Sequence, residues 1–105
     1  MTDKIIAFSA CGSEEEAVRI ARALVESRAA ACVNIVPGLR SIYRWKGAVE
    51  DASEWLLLIK TTRERFDRLR AEFRALHSYE VPELVAIPIV DGLETYLSWI
   101  SESVE

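Results

Sequence analysis

The stretch AACVNIVPGLRSIYRWKGAVEDASEWLLLIK, residues 30–60, decides the fold. It divides into two β-rich arms, residues 31–45 and 49–59, around a turn near Lys46 and Gly47. Val, Ile, Tyr and Trp suit a pleated surface, and a glycine between two such runs marks a hairpin. Pro37-Gly38 interrupts the first arm. Proline cannot donate to a ladder and glycine tolerates unusual dihedrals, so a bulge or bend is expected there. Both arms exceed the usual strand of about five or six residues. Part of the hairpin should therefore project beyond any core that 105 residues can build.

Before the hairpin, residues 4–10 form a short apolar run ending at Cys11-Gly12, consistent with a buried strand. Ser13 opens a helix, and Glu16 three residues on completes a capping box. Ala17, Ile20, Ala21, Leu24 and Val25 share one face of that helix. After the hairpin, Thr61 and Glu64 repeat the capping-box spacing. Phe66, Leu69, Phe73 and Leu76 make the next apolar stripe, and the arginines around them read as a solvated face. Residues 77–83 form a loop, because the residue before Pro82 avoids the helical region. Residues 84–90 read as a last strand, with Pro88 favouring an edge position. Asp91-Gly92 breaks the chain, and Leu93, Tyr96, Leu97 and Ile100 give a closing amphipathic helix. The order is βαββαβ plus a helix. It predicts an α+β, ferredoxin-like domain over residues 1–105, with a long β2–β3 hairpin and an extra C-terminal helix.

Composition bounds the function. A net charge of −4 argues against a nucleic-acid partner, which needs a basic face to displace counterions. No stretch approaches the roughly 20 apolar residues of a membrane span. The N-terminal segment carries an acidic residue and too short an apolar run for a signal peptide, which points to the cytoplasm. An apolar share of 50% in so small a domain suggests that some of it is hidden against other subunits. Two cysteines in such a chain read as thiols, not as a disulfide framework.

Spatial strand order 4-1-3-2 brings Cys11, Ser13, the hairpin and the loop at residues 77–83 to one end of the sheet. A thiol, the only histidine and two carboxylates, Glu80 and Glu83, become neighbours. Soft sulfur with borderline nitrogen suits copper or zinc, so Cys11, His77 and Glu83 are the candidate metal ligands. Plainer readings stand beside each: Cys11 as a small buried strand-end residue, His77 as a helix C-terminal cap, Glu83 as a solvated or intersubunit charge. Cys32 lies a strand length from Cys11, too far for a disulfide, and reads as structural. Trp45, Trp55 and Trp99 read as packing or interface residues.

Residues 30–47 (AACVNIVPGLRSIYRWKG), the strand ending LLLIKTT, the loop HSYEVPE and the closing YLSWI resemble the CutA divalent-cation-tolerance family. The resemblance implies a ferredoxin-like subunit in a tight homotrimer, with the hairpin reaching onto a neighbour. It implies a cytosolic role in metal tolerance, weak binding of copper or other divalent cations, and no enzymatic activity. The family's proposed metal site pairs a cysteine near the end of strand 1 with a histidine or histidine pair opening the loop. In some members that cysteine falls at the position of Ser9, in others at Cys11. The histidine matches His77, but Leu76 precedes it, so the pair is absent, and Ser78 replaces the usual proline. Tyr79, Pro82 and Glu83 are retained.

The alternative is a trimeric sensor similar to the PII proteins, binding a small anion or nucleotide in intersubunit clefts. The helix N-terminus at Ser13 with Arg40, Arg44 and Lys46 would supply its anion site. An enzyme of acylphosphatase type would need an arginine-lined loop where CGSEEEA is acidic. An RNA-recognition module would need aromatic base-stacking strands that this chain lacks.

Overall fold

Two strands longer than the rest of the sheet dominate the molecule. The computed structural model describes residues 2–105. The elements are β1 (Lys4–Cys11), α1 (Glu14–Glu26), β2 (Cys32–Trp45), β3 (Ala48–Thr62), α2 (Phe66–Leu76), β4 (Val85–Pro88) and α3 (Glu94–Ser103). One antiparallel sheet carries the order β2-β3-β1-β4. This is the ferredoxin-like α+β plan expected from the sequence.

β1 pairs with β3 only as far as Cys11 opposite Trp55. Residues 39–45 and 48–54 continue beyond that point with each other alone, a ribbon of about 20 Å at the rise of a strand. It makes the molecule 44 Å long and 25 by 22 Å across. The expected bulge falls between Val36 and Leu39, at Pro37-Gly38. At the tip Lys46 (φ 49°) and Gly47 (φ 82°) both take positive φ. That is the primed turn whose twist matches a two-residue hairpin.

The core lies between the sheet and the first two helices. Ala7, Leu57 and Ile59 from the strands meet Ile20 and Leu24 of α1 and Phe73 of α2, all essentially inaccessible. Alternate strand residues point the other way. Ile6 lies opposite Ile87, and Phe8 opposite Val85 and Leu58. Val85 and Ile87 are 55% and 49% exposed. The far face of the sheet therefore stays apolar and open.

Three local expectations are corrected. Thr61 does not cap α2: it belongs to β3, and its hydroxyl donates to the Ala29 carbonyl at 2.7 Å. The helix starts five residues later behind Arg65, with no side-chain cap. Thr62 holds the turn instead, its hydroxyl accepting from the Arg65 amide. The last strand is four residues, not seven: its paired register on β1 covers residues 85–88, and beyond it the Ile89 amide adds one bond to the Lys4 carbonyl. In α3 only Ile100 is buried, with Val104 of the C-cap beside it, while Leu93 is 74% exposed. A stripe can be read from spacing, but what covers it cannot.

Candidate functional site

The end of β1, the first turn of α1 and the loop after α2 converge as the topology requires. Cys11 is the last residue of β1 and is fully buried on the helix-facing side of the sheet. Burial pushes its thiol up to about 12, and the Glu16 and Glu54 carboxylates add to the shift. At the ordinary pH of a cell the sulfur stays protonated.

His77 closes α2, its backbone amide bonding the Phe73 carbonyl, so the expected helix-capping role is real. Its side chain does more. Nδ1 accepts from the Tyr79 amide at 3.1 Å, so the proton sits on Nε2. Nε2 donates to the Ala10 carbonyl at 2.8 Å and lies 3.8 Å from Cys11 Sγ. The ring packs between Phe73 and Tyr79, with centroids 5.2 and 4.7 Å away. Thiol and imidazole thus meet in a buried, hydrogen-bonded setting.

Glu83 is exposed in the loop before β4 and does not join them. The carboxylate that does is Glu16. Ligand atoms of Cys11, Glu16 and His77 lie within 4.8 Å of one another. The Ser13 hydroxyl accepts from the Glu16 amide, which is half of the expected capping box. The Glu16 carboxylate instead accepts from the Ser78 amide at 2.8 Å and reaches Arg19 at 3.5 Å. Burial works to raise this carboxyl, but hydrogen bonding from Ser78, followed by electrostatic attraction to His77 and Arg19, holds it below the usual range. The local pattern S-x-x-E assigns Glu16 to a cap. Its loop partner lies 62 residues away, and no local signal names it.

Tyr79, which no local pattern marks as an anchor, fastens the loop. Its hydroxyl donates to Glu54 at 2.7 Å. A Cβ on Gly12 would stand 2.9 Å from that oxygen, so glycine leaves room for the phenol. Burial, with the hydrogen bond to Glu54, raises the Tyr79 pKa. Ser9, fully buried two residues before Cys11, has a hydroxyl with no hydrogen-bond partner among the described residues. An orphaned buried hydroxyl costs on the order of 1 kcal/mol or more. Ser9→Ala is therefore expected to raise stability by about 0.5–1 kcal/mol in urea unfolding, and a loss of that size would show that the hydroxyl has a partner.

Two of the three basic residues of the expected anion site, Arg40 and Lys46, are engaged elsewhere. Arg40 makes a two-point ion pair with Asp51, and Lys46 lies over the Trp45 ring. Glu14, Glu15 and Glu16 fill the first turn of α1, which repels an anion at that N-terminus.

Cys32 pairs with Lys60, five positions along β3 from the partner of Cys11, or about 16 Å at strand rise. Both thiols are free.

The fold and cluster define a ferredoxin-like subunit with a buried thiol–imidazole–carboxylate group at one end of its sheet. Residues 5–103 match the family model described as CutA1 divalent ion tolerance protein. The divalent-cation tolerance protein CutA of Thermus thermophilus is 58% identical over 91 residues, covering 87% of this chain and 88% of its own length. Protein CutA of Mus musculus is 46% identical over 99 residues, 94% of this chain but only 56% of the mouse protein. A solved structure described as the periplasmic divalent cation tolerance protein CutA of Archaeoglobus fulgidus superposes with TM-score 0.93 at 44% identity. It covers 97% of this chain and 99% of that one. The chain belongs to the CutA1 divalent ion tolerance family.

Proposed function

We propose that this protein acts in tolerance of divalent cations as a cytosolic homotrimer, and that it binds copper or a similar cation weakly through Cys11 and His77. The observation that carries the reading is the convergence of Sγ and Nε2 at 3.8 Å in a buried setting. The donor chemistry fits, since thiol sulfur and imidazole nitrogen suit copper and other borderline cations. A cation must displace the Cys11 thiol proton and shift the His77 proton from Nε2 to Nδ1, so affinity is low, and release of the thiol proton makes it fall as pH falls. A thiol this protonated and this enclosed is poorly placed as a nucleophile, which supports a binding role over catalysis.

Trimerisation is supported by the apolar surface left open. Ile42 and Val49 on the ribbon are 66% and 65% exposed, and Val85, Ile87 and Val90 add to them. Exposed apolar surface of this extent is what subunit contacts cover, and a closed ring repeats each contact by symmetry. Two unpaired thiols support a reducing compartment. Among the described residues no helix is long and apolar enough to cross a membrane.

Calorimetric titration with copper tests the ligand assignment. Heat of binding is expected for the unsubstituted protein and a large reduction for His77→Ala and Cys11→Ala. Equal heats for all three would count against both residues.

A further inference from the structure

We infer that Glu16 is the third donor of this cluster, so that Cys11, His77 and Glu16 form a sulfur–nitrogen–oxygen site for a borderline divalent cation. This rests on the reading of Cys11 and His77 given above. It replaces Glu83, the carboxylate that loop spacing suggested.

The geometry is the first reason. One ligand atom from each residue already lies within 4.8 Å of the other two. Donors around a tetrahedral zinc-sized ion stand about 3.6 Å apart, given metal–ligand distances near 2.0–2.3 Å. Closing the remaining gap is a matter of side-chain adjustment, because the three Cα positions sit on β1, α1 and the end of α2.

The second reason is what the Glu16 carboxylate lacks. It is 8% exposed, yet its cationic partner, Arg19, stands at a long 3.5 Å. A carboxylate offers about four acceptor positions, and the Ser78 amide takes one of them at 2.8 Å. Acceptor capacity remains on a buried anion, which is what a cation would use. The Ser78 amide and Arg19 are then the outer contacts that orient a ligating carboxylate.

The third reason is rigidity. Glu16 stands in the first turn of a helix anchored by the Ser13 hydroxyl, and helical side chains lean towards the N-terminus. That lean carries the carboxylate back over the end of β1. Glu83 sits in a loop with an exposed side chain and shares none of these constraints.

Cobalt(II) is the probe, since it is redox-stable towards a lone thiol and reports sulfur ligation by a near-ultraviolet charge-transfer band. The unsubstituted protein, Glu16→Gln, Glu83→Gln and Cys11→Ala are titrated, and the 13C carboxyl shifts of labelled glutamate are followed in the unsubstituted protein on adding diamagnetic zinc(II). Glu16→Gln should weaken cobalt binding by about tenfold or more, Glu83→Gln should leave it unchanged, and zinc should shift the Glu16 carboxyl signal. If Cys11→Ala abolishes the band while Glu16→Gln binds normally and zinc leaves the Glu16 carboxyl shift unmoved, the Glu16 assignment alone is wrong. If Glu16→Gln does not fold, the carboxyl signal decides the question. If the unsubstituted protein binds no cobalt, or Cys11→Ala binds as well as it does, the parent reading falls and Glu16 with it.

Discussion

Replacing His77 by alanine is expected to destabilise the fold by about 3 kcal/mol and to loosen the loop that follows it. Two losses combine. The ring is a buried aromatic packed between Phe73 and Tyr79, and truncating a buried aromatic to alanine costs about 3–5 kcal/mol at fully packed sites. The ring also bridges two backbone groups from distant segments, the Ala10 carbonyl and the Tyr79 amide. Each loses its partner, at about 1 kcal/mol or more wherever water cannot reach. His77→Phe separates the two effects. It restores ring volume but neither hydrogen bond, so it should recover about half of the loss. Urea unfolding at fixed protomer concentration measures both, because assembly makes stability concentration-dependent. Hydrogen exchange at Tyr79 should accelerate strongly in both variants. A cost for His77→Ala below about 1 kcal/mol, with Tyr79 exchange unchanged, would show that the ring is not the fastening described here.

The double variant Ile42→Asp/Val49→Asp should abolish assembly while leaving the subunit folded. Both residues lie on one face of the projecting ribbon, since Ile42 pairs with Asp51 and Arg44 with Val49. Neither touches the core between the sheet and α1 and α2. A two-stranded ribbon is marginal in water by itself, and burying two such side chains against neighbours contributes roughly 3–6 kcal/mol per subunit. Two aspartates placed there would have to be desolvated without partners, which opposes association far more strongly than loss of area alone. Sedimentation velocity at micromolar concentration should show a trimer for the unsubstituted protein and a monomer for the variant, with circular dichroism little changed away from the ribbon. A monomeric unsubstituted protein, or a variant that still sediments as a trimer, would remove the basis for this assignment.

Legibility followed the range of the interaction. The hairpin, its bulge at Pro37-Gly38, the amphipathic helices and the βαββαβ order rest on local chemistry: β-branched runs, apolar periodicity, and the conformational freedom of Gly47. Once that order is written, the adjacency of β1 and β4 follows, and with it the meeting of Cys11 and His77. Errors arose where one local pattern had a distant competitor. Thr61 had the spacing of a cap, but a strand position and the Ala29 carbonyl claimed it.

The sequence alone determined the fold and two members of the cluster, because strand and helix periodicities leave few ways to bury their apolar faces. Only the tertiary structure decided which carboxylate stands beside them, which proton His77 carries, and how Tyr79 pins the loop to Glu54. Those outcomes depend on hydrogen bonds between segments 25 to 67 residues apart. Such bonds are directional to within fractions of an ångström, and residue spacing in a chain does not encode direction.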